Sequence, residues 1–368
     1  MQMTEKKPKK KLKKKIIIPA VIACILAVLT CGWGAFSVST YNENINQRFE
    51  SYEPLKLKVE DFEGLRCTEY RFPSDRGQML AGYLYSAGSD QRGIIIIAHG
   101  YGGGQNSYMD CANYFAQHGY YVFAYDATGN DASEGNGVGG FPQGAADLDY
   151  AVSFVEENED FPDLPIGLFG HSWGGCCVCC VLTYHPEVKA VIECCGCSRP
   201  SDLFEAVGRS MAGDVICTMM PFVKLYERVR FGKYAVNTAM DGFEASEAAV
   251  MAAHSEDDDV VPIGYGYDLY YQKYKDDPRF TFLHFSDRGH NEFFNDGDDT
   301  YKEEFNAGFD KWAEGLGYDI RAEENREKFA EDKAEYIHAH LDRERWSSRL
   351  DEELFEQFLT FYDEHMQE

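Results

Sequence analysis

Positive charge is scarce over most of this chain. Its 368 residues hold 35 Lys and Arg against 62 Asp and Glu, a formal charge of −27. Eight lysines (Lys6, Lys7, Lys9, Lys10, Lys11, Lys13, Lys14 and Lys15) crowd the first fifteen residues beside one acid, Glu5, so about −34 falls on everything after them. So acidic a field repels phosphate backbones, which excludes nucleic acid as a partner. Charge of either sign is missing between Ile16 and Asn42. Residues 16–38 are mostly apolar and, at 1.5 Å per residue, long enough to cross a hydrocarbon core of roughly 30 Å. They are read as a single-pass signal-anchor in the cell membrane. By the positive-inside bias the lysines of residues 1–15 stay cytoplasmic, so the rest of the chain is expected on the extracytoplasmic side. A cleaved signal peptide is the competing reading, with Ala35-Phe36-Ser37 as its small-x-small site. At 44% hydrophobic and 14% aromatic, the chain is not disordered and can bury a large core.

A complete metal-ligand set is also lacking. Cys176/Cys179 and Cys177/Cys180 have zinc-like spacing, but no Cys or His cluster elsewhere supplies the remaining ligands. Cys176, Cys177, Cys179, Cys180, Cys194, Cys195 and Cys197 are instead expected as small buried hydrophobes, since neighbours on a helix or strand cannot bridge comfortably. The acids Asp296, Asp298 and Asp299 do not have the spacing of an EF-hand loop. No metal and no cofactor are expected.

What is present is a regular alternation. Short apolar runs at 66–72, 79–85, 93–98, 120–125, 166–169, 189–193, 248–253 and 280–285 predict eight strands, the first two a hairpin. Helix-length segments at 107–118, 143–158, 172–184, 264–274 and 300–312 lie among them. Alternation of this kind implies a largely parallel sheet with helices on both faces and a site at the carboxyl ends of the strands. Residues 199–242, rich in Met and Phe, interrupt the alternation and are expected as a lid insertion. Residues 39–61 are expected as a polar stem, 62–318 as the main domain, and 319–368 as an acidic helical extension whose Trp346, Leu350, Leu354 and Phe358 recur every four residues.

Gly170-His171-Ser172-Trp173-Gly174 follows the strand at 166–169. Glycines flanking the serine permit the sharp strand-to-helix turn that exposes a nucleophilic hydroxyl. Such a hydroxyl needs a base, an acid to orient that base, and donors for the oxyanion. The turn His99-Gly100-Tyr101-Gly102-Gly103 offers one donor, expected at the N–H of Tyr101, and Trp173 offers the other. His99, ending a strand, is read as loop support. His290, after Gly289 and the last strand, is the expected base. Asp257, Asp258 and Asp259 compete as its acid.

Together with Gly119-Tyr120-Tyr121-Val122-Phe123-Ala124-Tyr125-Asp126, Asp258-Asp259-Val260-Val261-Pro262 and Gly289-His290, these motifs resemble the serine hydrolases of the α/β-hydrolase superfamily over residues 66–316. The resemblance implies that Asp258, four residues before Pro262, is the acid, with Ser172 and His290 completing the triad. It implies an acyl-enzyme hydrolase acting on a small-molecule acyl substrate, a carboxylic ester first and a prolyl or aminopeptidase-type peptide second. A membrane-tethered binding protein without chemistry is the third possibility. The loop at 126–135 departs from the family's D-x-R-G-x-G-x-S-x-G pattern: Thr128 stands for the arginine and Asp131 for the second glycine.

Overall fold

The computed structural model describes residues 11–367, so residues 1–10 of the expected basic tail, and Glu368, lie outside the described residues. Helix α1 (Lys11–Ile45) carries the apolar stretch and then meets the domain. A hairpin, β1 (Arg66–Pro73) and β2 (Met79–Ser86), precedes β3 (Ile94–Ala98), α2 (Met109–Gln117), β4 (Tyr121–Asp126), α3 (Pro142–Glu157), β5 (Ile166–His171), α4 (Trp173–Val181) and β6 (Ala190–Cys194). Between β6 and β7 (Ala249–Ser255) come α5 (Pro200–Ala212), α6 (Met220–Phe231) and α7 (Ala239–Ala245), in the region expected as a lid. After α8 (Tyr267–Tyr274) and β8 (Phe280–Phe285) the chain ends in α9 (Tyr301–Glu314), α10 (Arg326–His340), α11 (Arg343–Ser347) and α12 (Glu352–His365).

The eight strands form one sheet in the order β1-β2-β4-β3-β5-β6-β7-β8, antiparallel at β1 and β2 and parallel from β4 to β8. Every residue of β3 is buried, as a central strand covered on both faces requires. Ile94, Ile96 and Ala98 point to a layer built from α3, α4, α7 and α8, while Ile95 and Ile97 point to α2 and α12. The cysteines fill this core as expected. Cys176, Cys177, Cys179 and Cys180 are all buried in α4, and Cys176 Sγ lies 4.0 Å from Cys180 Sγ, its neighbour one helical turn on, not from Cys179.

Two segments pack differently from the sequence expectation. The boundary at residue 318 does not divide the packing. Leu354, Phe355, Phe358, Phe361 and Tyr362 of α12 are buried against Phe115 and Phe169, and the Tyr362 hydroxyl donates to the Leu168 carbonyl at 2.7 Å. Helix α9 joins α10 in a satellite cluster of Tyr301, Phe305 and Ile337. The last helix thus covers the sheet, and each of its buried rings contributes about 2–3 kcal/mol of burial.

Residues 39–61 do not stand free as a stem. Phe49 pairs with the 126–135 loop (Phe49 N to Gly129 O 3.0 Å, Asp131 N to Phe49 O 2.9 Å), and Arg48 donates to the carbonyls of Ser133 and Gly135. One of the two departures from the loop pattern accounts for part of this. Asp131 takes φ 35, a region glycine would occupy more freely, and its carboxylate accepts from Ser51 N (2.7 Å) and Ser51 Oγ (2.6 Å). Thr128 donates from its N–H and hydroxyl to the buried Asp147 at 2.7 and 2.9 Å.

Candidate active site

Ser172 sits between β5 and α4 at φ 57, a strained conformation for a residue with a Cβ. A Cβ on Gly170 would fall 2.4 Å from the Gly174 carbonyl oxygen, and one on Gly174 1.9 Å from that of Ala98. Both positions therefore demand glycine, and the elbow they permit puts Ser172 at the carboxyl edge of the sheet. Ser172 N donates to Cys194 O at 2.8 Å, which fixes the turn.

His290 Nε2 lies 2.9 Å from Ser172 Oγ, and His290 Nδ1 lies 2.7 Å from Asp258 Oδ2. All three side chains belong to buried residues. The other oxygen of Asp258 accepts from the amides of Val260 (2.9 Å) and Val261 (2.7 Å). Burial pushes the Asp258 carboxyl up, but hydrogen bonds from His254 and His290 and the Val261 amide outweigh it and hold the group well below the usual carboxylate range. The structure brings only one of the three competing aspartates to His290. Asp257 accepts from Ser255 Oγ (2.6 Å) and Gly289 N (2.8 Å), bracing the histidine's turn, and Asp259 is exposed.

The loop at 100–103 lies over the serine: a Cβ on Gly100 would be 3.6 Å from Ser172 Cβ. Trp173 opens α4, so its N–H has no acceptor within the helix and the positive end of the helix dipole faces the serine. The Trp173 ring is buried, donates to Phe141 O at 2.8 Å, and meets the rings of His99 and Tyr101 at 5.9 Å each. His99 is loop support: its Nδ1 meets Gly100 O at 2.8 Å and its Nε2 accepts from Ala127 N at 2.9 Å.

Four residues here escaped the sequence reading. Tyr108 OH accepts from Gly100 N (3.1 Å) and meets His171 Nδ1 (2.8 Å), while His171 Nε2 meets His290 O (3.0 Å). Burial, reinforced by the neighbouring His290, lowers the His171 pKa to about 3, so its ring is neutral. A neutral imidazole has one donor and one acceptor, so Nε2–H donates to the His290 carbonyl and Nδ1 accepts from Tyr108. That chain ties the glycine loop to the backbone of His290. His254 Nε2 lies 3.3 Å from Asp258 Oδ2 and 2.8 Å from Val261 O, and Glu193 is buried nearby at the end of β6. The only sequence signals were position: His171 inside the pentapeptide, His254 just before the acid. Tyr108→Phe removes one link and leaves the buried Gly100 N–H and His171 Nδ1 unpaired, and the expected result is a roughly tenfold fall in kcat with a melting temperature a few degrees lower. Steady-state kinetics on an activated ester checks it.

Buried acids also set a pH dependence of stability. Burial raises Asp126 and Asp147 to about 6 and Glu193 and Glu227 to about 7. Unfolded, these carboxyls ionise near 4, so between about pH 4 and 7 the unfolded chain binds fewer protons than the folded one and stability falls as pH rises. The melting temperature should be several degrees higher at pH 5.5 than at pH 8; a flat or rising profile in thermal scans would contradict this.

Serine, histidine and aspartate line a cleft of about 660 Å³ or support it from below. Its lining combines the apolar Phe141, Leu203, Val207 and Val260 with the polar Asn106, Lys302 and Arg349. Ligand atoms of Cys195 lie within 4.8 Å of those of His171 and His290, and of His254 and Asp258, but these side chains belong to the network just described. A third such group, Glu156, His185 and Glu187, is an ion-pair cluster in which His185 Nδ1 is 3.4 and 3.0 Å from the two glutamates.

The sheet order, the elbow after β5, and a histidine after β8 facing it define an α/β-hydrolase fold. The family model described as "Serine aminopeptidase, S33" matches residues 89–230. A monoacylglycerol lipase of Mycolicibacterium smegmatis is 29% identical over 116 residues, covering 29% of this chain and 39% of that protein. A monoglyceride lipase of Rattus norvegicus is 32% identical over 101 residues, 27% of this chain and 33% of that one. The match thus spans less than two fifths of the length of these curated relatives. Among solved structures, an esterase of Pyrococcus furiosus superposes with a TM-score of 0.52 at 16% identity, covering 73% of this chain and 97% of the esterase. An acylaminoacyl peptidase of Pyrococcus horikoshii gives 0.51 at 14% identity, covering 84% of this chain and 43% of the peptidase. At those identities the likeness establishes the fold.

Proposed function

We propose that this protein is a serine hydrolase that cleaves carboxylic esters through an acyl-enzyme. Ser172 Oγ attacks the ester carbonyl while His290 Nε2 takes its proton. Asp258 holds the ring so that Nδ1–H faces the carboxylate and Nε2 faces the serine. The N–H groups of Tyr101 and Trp173 receive the oxyanion. His290 then returns the proton to the departing alkoxide, and the alcohol leaves. Water, deprotonated by His290, attacks the acyl-enzyme and releases the acid and free Ser172. The observation that carries this is the 2.9 and 2.7 Å contacts from His290 to Ser172 and Asp258 at the floor of the cleft.

The cleft supports an ester with an apolar acyl part and a polar alcohol, since its lining combines apolar side chains with Asn106, Lys302 and Arg349. The lipase relatives point the same way. A peptidase that grips an amino terminus needs a free carboxylate, and two acids line the cleft. Glu292 is paired with both Lys302 and Arg349, and burial shifts Asp110 toward its neutral form. Ester hydrolysis is therefore favoured over the aminopeptidase reading. We further assign α1 as a membrane anchor, because an 18-residue window within Ile18–Ile45 has a mean hydropathy of 2.2 and 11% of that window is buried. The domain then lies on the extracytoplasmic side.

A fluorophosphonate probe should label the folded protein at Ser172 alone. Nitrophenyl esters from acetate to palmitate should turn over faster than aminoacyl or prolyl amides. No label on a folded chain would overturn the enzyme reading, and faster amide cleavage would overturn the ester.

A further inference from the structure

The carboxyl-terminal end of α1 is built into the domain. Trp33 Nε1 donates to the Thr218 carbonyl at 3.2 Å, and a Cβ on Gly34 would stand 2.7 Å from the Phe222 ring. Tyr41 is fully buried and its hydroxyl bonds the Glu227 carboxylate. These contacts hold the helix against α6 and bring its last turn to the glycine loop of the active site.

A helix ends with carbonyls that have no partner within it, and those of α1 find theirs beyond its last residue. Asn42 O accepts from Asn46 N at 3.0 Å, and Glu43 O from Gln47 Nε2 at 3.1 Å. Tyr101 meets the final two: its hydroxyl donates to Ile45 O at 2.8 Å, with Asn44 O 3.4 Å away. The residue whose N–H is assigned to the oxyanion therefore caps α1 with its side chain.

The Tyr101 ring is clamped as well. Phe49, Phe141 and Trp173 stand 5.1, 5.0 and 5.9 Å from it, the first and last edge-on. Phe49 also covers Gly102, where a Cβ would lie 3.6 Å from its ring. Phe141 is tied to α1 in turn, since its N–H donates to the Tyr41 hydroxyl at 3.0 Å. No backbone carbonyl among the described residues accepts the Tyr101 N–H. An N–H without an internal acceptor is aimed by whatever holds its residue, and here that is the end of α1 with Phe49 and Phe141.

We infer that Tyr101 is a positioning residue: its hydroxyl bond to the end of α1 aims its own N–H at the oxyanion, so residues 41–49 are part of the active site. A donor must lie about 2.7–3.1 Å from the developing oxyanion, and a misplacement of about 1 Å costs up to about 10²-fold. Without the hydroxyl bond, ring packing alone aims the loop. The cost falls on the transition state, where the oxyanion exists, and not on ground-state binding. The inference rests on the serine-hydrolase reading.

The test uses the full chain in nanodiscs with p-nitrophenyl butyrate as substrate and two inhibitors. Ser172 Oγ adds to the carbonyl carbon of hexyl trifluoromethyl ketone, its proton passing to His290 and the carbonyl electron pair to the oxyanion; hexyl methyl carbinol fills the same cleft and forms none. Tyr101→Phe keeps the ring and the N–H. It should lower kcat roughly tenfold to a hundredfold with KM changed less than about twofold, and weaken the ketone by the same factor while the carbinol binds as before. Phe49→Leu, at a residue outside the cleft lining, should show the same separation at roughly threefold, and less of it in the Tyr101→Phe background. A purely structural role would lower the melting temperature without separating ketone from carbinol. A kcat within about twofold of the parent in Tyr101→Phe overturns the inference, as does equal weakening of ketone and carbinol, which marks a distorted cleft. If Tyr101→Phe does not fold, Phe49→Leu decides by the same separation. A parent that neither turns over the ester nor binds the ketone more tightly than the carbinol sinks the hydrolase reading; a parent that does both, matched by both variants, sinks the positioning role alone.

Discussion

Ser172→Ala should lower ester turnover by about 10⁴ to 10⁶ and leave the melting temperature unchanged. The loss is large because Oγ is the only atom of the triad that bonds the substrate. Without it, the oxyanion donors and the cleft can bind an ester but have no acyl-enzyme to form. The fold should not notice. Ser172 makes its structural hydrogen bond through N–H to Cys194 O, not through the hydroxyl, and alanine bears the φ of 57 with the same Cβ. A variant that keeps a tenth of the parental kcat, in an assay free of contaminating esterase, would refute the nucleophile.

Asp258→Asn should cost about 10⁴ in kcat, and the reason lies in the four groups around that carboxylate. Oδ1 accepts from the amides of Val260 and Val261, and Oδ2 from His290 and His254. An asparagine must place its NH₂ on one side. Facing two backbone N–H groups it would repel them, so the NH₂ turns to His290 and donates to Nδ1. The ring proton is then driven to Nε2, where it points at Ser172 and blocks proton abstraction. Asp259→Asn, on an exposed side chain, should change kcat by less than about twofold, and Asp257→Asn, which only braces Gly289, by less than about tenfold. A ranking in which Asp257 or Asp259 costs more than Asp258 would move the acid.

Much of this was legible in the sequence because it depends on local order. The eight strands announce themselves as apolar runs between turn residues, and Gly170 and Gly174 are required by clashes with backbone a few residues or one strand away. Ser172 is marked by Gly170 and Gly174 two positions to either side, and His290 by Gly289 before it. The choice of Asp258 needed the spacing to Pro262 seen in related chains, since three adjacent aspartates are equivalent in composition. What no window could show is pairing at long range. Tyr108 meets His171 across 63 positions and His171 meets the His290 carbonyl across 119, so neither side chain looks special beside its own neighbours. The extension after residue 318 reads as an amphipathic helix docking back on the domain, but its spacing does not say where, because the strand that Tyr362 reaches lies nearly 200 positions back.

By itself the sequence determined the alternation of strands and helices, the elbow at Ser172, the histidine after the last strand, and an uncharged stretch long enough to span a membrane. Periodicity and glycine placement encode these, since backbone geometry is a local property. Only the tertiary structure decided that Asp131 captures residues 49–51, which face of the sheet α12 covers, and that α1 ends on α6 through Trp33, Gly34 and Tyr41. Those are contacts between surfaces brought together by burial, and their selectivity lies in shape and hydrogen-bond geometry that no single stretch of chain contains.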